Sequence, residues 1–242
     1  MRNLLASSNP HKLEEIRAVV AAQRPLPVEL IGLDDRNQQI DEPAEDQPTF
    51  EGNALLKARH YAEVTGLPCL ADDSGLEVDA LGGEPGVRSA RYAGVRGPRR
   101  VVDPANNKLL LERLGDTPAD RRTARFVCAM ALVFNPSQCR GRSNTVRGTV
   151  EGRILLPAAA ADPAQPHLGR GTNGFGYDPL FFVPELGKTT AELAPHEKNA
   201  ISHRGRAARL MWARLQTLLT SGGGGGDASG GGGGDASGGG GA

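Results

Sequence analysis

The segment that most constrains the fold of this chain lies between Cys69 and Gly75. The apolar residues Cys-Leu-Ala lead directly into Asp72 and Asp73, which are followed by Ser74 and a glycine. This pattern is typical of a buried strand that delivers polar groups to the edge of a sheet, and in open α/β sheets ligands bind at the carboxyl ends of the strands. We therefore expect the two aspartates at the exit of a central strand.

Adjacent carboxylates repel each other and are costly to bury unless a cation lies between them. No basic residue neighbours Asp72 and Asp73 in the sequence. A hard cation such as Mg²⁺, which commonly accompanies phosphate, would suit them. The alternative is that Asp-Asp-Ser-Gly is a turn that closes a hairpin. The segment by itself favours neither interpretation.

The N-terminal segment predicts an anion site. Residues 3–6 predict a short strand, and Pro10 after Ser8 and Asn9 has the sequence of a capped helix start. A strand, a polar turn and a helix N-terminus aim backbone N–H groups at an anion. Lys12 in the first turn opposes the helix dipole, and a bound phosphate would remove that penalty. The alternative is an ordinary capped helix with Lys12 in solvent.

Residues 49–66 predict a helix with an N-cap threonine and a C-cap glycine. Asn53 and Lys57 are four residues apart on one face of this helix, so both could meet the same ligand. The acidic loop before it, residues 34–48, contains carboxylates that we expect mainly on the surface. One of them could complete a metal site.

Glycines surround Phe175 in residues 169–179. They leave the backbone free to approach a flat ligand closely, and the phenylalanine offers an aromatic face for stacking. The other elements are predicted from apolar periodicity and alternation. They are a strand at 28–31, a basic loop at 95–106, a helix at 107–114, strands at 123–134, 144–156 and 181–182, and a helix at 204–219.

Charge argues against wholesale binding of nucleic acid. The glycine-rich tail, residues 221–242, holds two acids and no bases, so residues 1–220 carry 28 basic and 26 acidic side chains. Basic residues cluster at 88–100 and 121–125, where a solvated face is the commoner explanation, although a polyanionic substrate would suit them. The tail has no apolar side chain larger than alanine and cannot offset its ordering entropy. We predict one domain at 1–220 and a disordered tail.

Cysteine usage and hydropathy favour a cytoplasmic protein. Cys69 and Cys128 lie in apolar runs and are expected to be buried thiols, and with Cys139 they share no metal-ligand spacing. The N-terminal apolar segment is too short for a signal peptide, and no apolar stretch is long enough to span a bilayer. We therefore expect no membrane partner.

Two motifs are rejected. Residues 186–190 look like half of a P-loop, but the first glycine that a P-loop requires would fall at Phe182. His196 and His203 lie seven residues apart with no cysteine or third histidine nearby, so a zinc site is not predicted.

Taken together, several segments of the chain resemble the inosine triphosphate pyrophosphatase family. They follow the order of that family along nearly the whole of residues 1–220, and they are very specific as a set. The segments are 5–12, 49–59, 71–83, 85–92, 174–179 and 197–205.

The resemblance implies an α/β fold with a long, curved, mixed central sheet flanked by helices. It further implies two lobes with a substrate cleft between them, and a homodimer. The implied activity is magnesium-dependent hydrolysis of deaminated purine nucleoside triphosphates (ITP, dITP and XTP) to the monophosphate and pyrophosphate, which removes them from the nucleotide pool. The alternatives are a pyrophosphatase for other modified nucleotides and a catalytically silent nucleotide-binding module.

Carried over by position, the resemblance also implies the roles of single residues. The phosphate-binding residues would be Ser7, Ser8, Asn9, Pro10, His11, Lys12, Asn53 and Lys57. The residues expected to contact the nucleoside are Ser74, Phe175, Gly176, Tyr177, Asp178, Lys198, His203 and Arg204. Glu45 and Asp73 resemble the magnesium ligands, and Asp73 also the proton acceptor.

The catalytic set implied in this way is Lys12, Asp72 and Asp73. Adjacent acids titrate as a unit, so the choice between the two aspartates as the base stays open. Donors such as Lys198 and Arg204 would suit the 6-oxo group of a deaminated purine. The 6-amino group of adenine would leave those donors unpaired.

Overall fold

The strand that carries the paired aspartates belongs to a mixed seven-stranded sheet. The computed structural model describes residues 2–6, 10–23, 25–33, 40–134 and 143–221. The strands are β1 (Arg2–Ala6), β2 (Glu29–Gly32), β3 (Cys69–Val78), β4 (Thr123–Val133), β5 (Ser143–Ile154), β6 (Phe181–Val183) and β7 (Lys188–Thr189). The helices are α1 (Pro10–Ala21), α2 (Phe50–Thr65), α3 (Arg99–Leu114), α4 (Pro195–Ile201) and α5 (His203–Ser221). The predicted α/β class is confirmed.

The sheet is parallel at one end and antiparallel over the rest. Its strand order is β2-β1-β3-β4-β5-β6-β7, and β1 runs parallel to both β2 and β3. From β3 onward each neighbouring pair is antiparallel. The predicted mixed sheet is therefore confirmed, whereas the division into two lobes stays a prediction.

The aspartates lie inside β3 and not at its exit, so that expectation is wrong, as is the turn alternative. The antiparallel ladder with β4 continues through them, with Asp72 opposite Met130 and Asp73 opposite Ala129. On the other side of β3, β1 pairs only as far as Ala6, opposite Ala71. A neighbouring strand keeps the backbone extended, and the acids begin one residue beyond the end of the parallel pairing.

Alternation along β4 explains how both faces of the sheet are covered. Val127 and Ala129 pack in one apolar cluster with residues of α2, whereas Cys128 and Met130 pack in another with residues of α1 and α5. Successive side chains of a strand point to opposite faces, so one apolar run serves both layers. Cys69 is buried in the first of these clusters, as expected of a core thiol.

The predicted caps of α2 are confirmed. The Thr49 Oγ1 atom accepts a hydrogen bond from the Gly52 N–H at 3.0 Å, and Gly66 ends the helix with a φ of 67°, in the left-handed region that glycine adopts freely. The start of α3 was predicted wrongly, because the helix begins at Arg99 and not at residue 107. Its early turns face solvent and a cavity, so apolar periodicity is missing there.

The predicted tail, 221–242, lies outside the described residues except for Ser221, the last residue of α5. Among the residues that the structure describes, no helix is long and apolar enough to cross a membrane.

Candidate active site

A cavity of about 230 Å³ brings the aspartates of β3 and the phenylalanine loop together. It is bounded by residues of α1, β3, α3, the loop before β6 and the start of α5. The predicted site residues that line it are Lys12, Glu45, Asp73, Ser74, Phe175, Gly176, Tyr177, Asp178, Lys198, His203 and Arg204. Segments about a hundred residues apart in the chain thus share one space.

Asp72 is a buried carboxylate held by cations. Its Oδ2 atom lies 2.9 Å from Lys12 Nζ and 3.7 Å from Arg204 Nε, and it accepts a hydrogen bond from Ser74 Oγ at 3.2 Å. Burial by itself would raise the pKa of Asp72, but the cations, Lys12 foremost, hold this pKa well below its usual value. Asp72 is therefore ionised at neutral pH. Its Oδ1 atom is buried and has no hydrogen-bond partner among the described residues.

Asp73 has a different environment from its neighbour. The Asn53 side-chain amide donates to its Oδ2 atom at 3.0 Å, and Lys57 Nζ lies 3.5 Å from its Oδ1 atom. Burial raises the pKa of Asp73, and repulsion from Glu45 adds to this effect against the attraction of Lys57. The pKa values of these two adjacent aspartates are thus shifted in opposite directions.

Lys57 bridges two carboxylates. Its ammonium lies 2.8 Å from Glu45 Oε1 in addition to the contact with Asp73, and these acids raise the pKa of Lys57 although burial opposes it. Arg91 approaches Glu45 Oε2 from the other side at 3.6 Å. The loop that carries Glu45 is held against α2, because the Asn53 Oδ1 atom accepts a hydrogen bond from the Gln47 N–H at 3.0 Å.

Glu45 and Asp73 are the side chains here that could hold a divalent cation. In the part of the chain that the structure describes, no group of three or more His, Cys, Asp or Glu residues converges as a metal site. Mg²⁺ is commonly held by only one or two carboxylates together with substrate phosphates and water, so two oxygen donors fit it. Basic and acidic side chains at this end are equal in number, namely Lys12, Lys57, Arg91 and Arg204 against Glu15, Glu45, Asp72 and Asp73. A bound polyphosphate would therefore need an added cation.

The other end of the cavity is built around Asp178. Its Oδ2 atom accepts hydrogen bonds from Lys198 Nζ at 2.6 Å and from the Phe175 N–H at 2.7 Å, and its Oδ1 atom accepts one from Thr190 Oγ1 at 2.8 Å. Gly174 has a φ of +80°, and a Cβ atom there would lie 2.1 Å from Asp178 Oδ2. Glycine is therefore required where the loop passes this carboxylate.

Lys198 and Tyr177 complete this end of the cavity. Lys198 is buried and its Nζ atom lies 5.3 Å from the centroid of the Phe175 ring. The Tyr177 hydroxyl donates to the Ser89 carbonyl at 2.8 Å, which ties the loop to the segment that follows β3. The phenylalanine ring is thus presented on a loop that is bonded on two sides.

His203 and Arg204, at the start of α5, connect the two ends. The His203 ring stacks on Phe126 with centroids 5.0 Å apart, and burial, followed by the nearby cations, holds its pKa well below its usual value. Arg204 Nη2 donates to Ser74 Oγ at 3.1 Å, Nη1 pairs with Glu15, and the guanidinium carbon lies 6.0 Å from the Phe175 ring centroid. A neutral imidazole and a fixed cation therefore lie between the acids and the aromatic ring.

Comparison with known proteins identifies the family of this chain. Residues 3–214 match the model of the Ham1 family. The chain belongs to the Ham1 family. Relatives of this Ham1 protein named dITP/XTP pyrophosphatase include one from Exiguobacterium sibiricum, 48% identical over 219 residues (90% of this chain, 99% of that protein), and one from Frankia alni, 49% identical over 222 residues (91% and 100%).

Solved structures agree with this assignment. A HAM1 protein from Coxiella burnetii matches this Ham1 chain with a TM-score of 0.72 and 39% identity, over 91% of this chain and 99% of its own. A structure from Mycobacterium abscessus, described as a nucleoside-triphosphatase / dITP/XTP pyrophosphatase, matches with a TM-score of 0.67 and 43% identity over 90% and 100%. The fold of the Ham1 chain is therefore that of its family.

Part of the predicted phosphate loop lies outside the described residues of this Ham1 chain, namely Ser7, Ser8 and Asn9. Pro10 and His11 are the first two residues of α1, and only their backbone is described. Every other predicted site residue lines the cavity or, as Asp72, Asn53 and Lys57 do, bonds directly to a residue that lines it. Their assigned roles stay predictions.

Sequence reasoning missed four residues with polar side chains that line the cavity of the Ham1 chain. They are Ser89, Arg99, Asp103 and Asn106. The last three lie in α3, in the segment that was predicted as a basic loop. The only local signal was a pair of asparagines, 106 and 107, that immediately precedes an apolar helical face. The basic cluster at 88–100 is otherwise mostly solvated, as expected.

Proposed function

We propose that this Ham1 protein hydrolyses deaminated purine nucleoside triphosphates, namely ITP, dITP and XTP, to the monophosphate and pyrophosphate. The observation that carries the proposal is the cavity that joins Asp73 and Lys12 at one end to the Phe175 loop at the other. An anionic chain and a flat base need these two environments at a fixed separation. The names of relatives 45–49% identical to this chain support the same activity.

The triphosphate is proposed to lie at the end formed by Lys12, Lys57 and Arg204. Lys12 and Arg204 line the cavity, and Lys57 pairs with Asp73, which also lines it. Ser7, Ser8, Asn9 and His11 are proposed to add backbone N–H groups to this cradle, and Pro10, which has no N–H, to begin the helix beside it. Phosphoryl chemistry depends mainly on positioning and on neutralising charge, so these cations would supply much of the rate.

Glu45 and Asp73 are proposed to hold Mg²⁺. When bound, the ion neutralises charge on the phosphate oxygens and polarises the phosphorus centre. Lys57 now bridges these two carboxylates and would move toward the phosphates as they enter.

Asp73 is the better candidate for the base that accepts a proton from the attacking water. Its pKa is raised, whereas the pKa of Asp72 is held low by Lys12 and Arg204. A carboxylate with a low pKa is a poor proton acceptor. The water oxygen would attack the α-phosphorus, the bond from this phosphorus to the bridging oxygen would break, and pyrophosphate would leave. Asp72 would then serve to hold Lys12 and Arg204 in place.

Base selection is proposed to depend on Lys198 and Arg204. Lys198 donates one of its three hydrogens to Asp178 and keeps donors for the 6-oxo group of a deaminated purine. An adenine 6-amino group offers a donor where an acceptor is needed, which can reduce kcat/KM by several orders of magnitude. We further propose that the protein acts in the cytoplasm as a homodimer.

A panel of nucleotides assayed with Mg²⁺ tests the proposal. ITP, dITP and XTP should release pyrophosphate with the monophosphate, and ATP should be a poor substrate. Pyrophosphate and orthophosphate must be detected separately, because only release of the two-phosphate unit fits the proposed bond. Preference for a modified pyrimidine, or binding without turnover, would refute it. Asp73→Asn is the control for a contaminating hydrolase.

A further inference from the structure

One face of α3 carries polar side chains toward the loop that holds Phe175. Arg99, Asp103 and Asn107 are spaced four residues apart, so they form a stripe along the helix. The helix also bonds to the segment after β3, because the Asn106 Oδ1 atom accepts a hydrogen bond from the Ala93 N–H at 2.8 Å. The stripe therefore projects from a helix that is itself held in place.

Two members of the stripe bond to the backbone of the same residue, Gly176. The Gly176 N–H donates to Asp103 Oδ2 at 2.8 Å, and the Asn107 side-chain amide donates to the Gly176 carbonyl at 3.2 Å. Asn107 is only 4% exposed, and Gly176 has a φ of +64°, a conformation that glycine adopts without strain. Both backbone polar groups of the residue after the phenylalanine are thus bonded to α3.

The third member covers the aromatic ring. The guanidinium carbon of Arg99 lies 4.4 Å from the centroid of the Phe175 ring, closer than Lys198 or Arg204, and Arg99 Nη1 lies 3.9 Å from Asp103 Oδ2. A cation over an aromatic face is attracted by the ring quadrupole. The ring is therefore fixed through its backbone and through its face by one helix.

We propose that Arg99, Asp103 and Asn107 form a clamp, the α3 clamp, that positions the Phe175 ring and thereby sets how strictly the purine base is selected. The inference rests on the proposed function. These are positioning residues, because their contacts are to the loop and not to the phosphate end. Consecutive N–H groups, of Phe175 and Gly176, are bonded to carboxylates from different elements, Asp178 and Asp103. Removing one of these bonds lets the ring shift relative to Lys198.

The clamp predicts losses confined to base recognition. Asp103→Ala and Arg99→Met should each raise the KM for ITP by about tenfold, the value of one hydrogen bond or one cation–π contact. They should lower the ratio of kcat/KM for ITP to that for ATP by a similar factor. Inhibition by inorganic tripolyphosphate, which has no base, should be unchanged. A loss of thermal stability with unaltered ratios would show a purely structural role and overturn the proposal.

Matched variants separate the clamp from general effects of charge. Lys108→Met removes a cation from an exposed position of the same helix, where Lys108 pairs with Glu112, and should leave KM and the ratio unchanged. Asp103→Asn keeps an oxygen that can accept the Gly176 N–H and should recover most of the selectivity lost in Asp103→Ala. Equal defects in all of these variants would contradict the proposal.

A second readout does not depend on turnover. Amide hydrogen exchange at Gly176, measured by NMR on the full chain, should be at least about tenfold faster in Asp103→Ala than in the wild type and in Lys108→Met. Failure of wild-type protein to hydrolyse ITP would refute the proposed function but leave this measurement intact. Unchanged exchange at Gly176 would refute the clamp even if ITP is hydrolysed.

Discussion

The two ends of the cavity hold buried carboxylates in different ways. At the end proposed to bind the purine base, both side-chain oxygens of Asp178 accept hydrogen bonds, from Lys198, Thr190 and the Phe175 N–H. At the end proposed to bind phosphate, Asp72 keeps a buried oxygen without a hydrogen-bond partner among the described residues. One of the two side-chain contacts of Asp73, the contact to Lys57, is long at 3.5 Å. Both oxygens of Asp178 therefore have hydrogen-bond partners within the fold, whereas one oxygen of Asp72 has none among the described residues.

This difference indicates what each acid is for. A buried carboxylate whose two oxygens both accept hydrogen bonds fixes the groups around it and has little capacity left for a ligand. A buried acid with spare acceptor capacity costs stability in the free protein, and such a cost is typical of binding sites. We infer that Asp178 is part of the frame of the cavity. In the proposed function Asp73 takes part in the chemistry, and Asp72 holds the neighbouring cations in place. The predictions below test this division.

The largest effect is expected for Asp73→Asn. The amide oxygen can still accept from Asn53, and repulsion from Glu45 is removed, so the melting temperature should stay the same or rise. Loss of a general base costs about 10²- to 10⁴-fold in rate, so kcat for ITP should fall by about a thousandfold. Steady-state kinetics and thermal unfolding measure both. Retained activity would remove Asp73 from the chemistry.

In contrast to Asp73→Asn, Lys198→Met should lower the stability of the fold. It leaves Asp178 buried without its cation, which costs about 3 kcal/mol of unfolding free energy. The double variant Lys198→Met/Asp178→Asn should recover much of this loss, because no charge stays unpaired. Discrimination of ITP from ATP should stay poor in both. Recovery of discrimination in the double variant would contradict the role of Lys198 in base selection.

A pH titration tests the region between the two ends. Because the pKa of His203 is depressed in the fold, the unfolded chain binds the extra proton below about pH 6.5. Stability should therefore fall as pH drops from 7 to 5, with His203 contributing up to about 1.4 kcal/mol per pH unit. His203→Asn should flatten the slope by that amount in denaturant unfolding. An identical slope in both proteins would show that the fold does not depress the pKa of His203.

The smallest effect is expected for Thr190→Val. This near-isosteric change removes the donor to Asp178 Oδ1 while its other bonds persist. The loss should be about 1 kcal/mol of unfolding free energy, with kcat unchanged. Chemical denaturation and single-turnover kinetics check the two quantities. A large fall in kcat would contradict the assignment of Asp178 to the frame of the cavity.

Several features of the fold and site could be predicted from local sequence. Thr49 and Gly66 mark the ends of α2 because capping depends on a few neighbouring residues. Asn53 and Lys57 share a helical face because their spacing matches the helix repeat. The glycines around Phe175 predicted a close approach of the backbone to a flat ligand, which stays a prediction, whereas the structure shows Gly174 packed against Asp178. Each of these inferences uses interactions within about one turn of helix or one loop.

Other features depended on segments far away in the chain. The strand β3 continues through Asp72 and Asp73 because β4 pairs with it, and the apolar pattern before the aspartates carried no information about that partner. The first turns of α3 combine side chains that line the cavity, Arg99 and Asp103, with exposed ones such as Val101, so no apolar periodicity marked them as helical. Contacts between residues that are remote in the chain depend on the topology of the fold, so local sequence patterns do not predict them.

The sequence alone determined which chemical groups are present, and where caps, turns and amphipathic faces begin and end, because those depend on neighbouring residues. Tertiary structure alone decided that Asp73 and Phe175 face one cavity, and that Asp72 is held ionised while the pKa of Asp73 is raised. The physical reason is that charges and hydrogen bonds act through space. Their effect on a side chain is set by the elements packed around it.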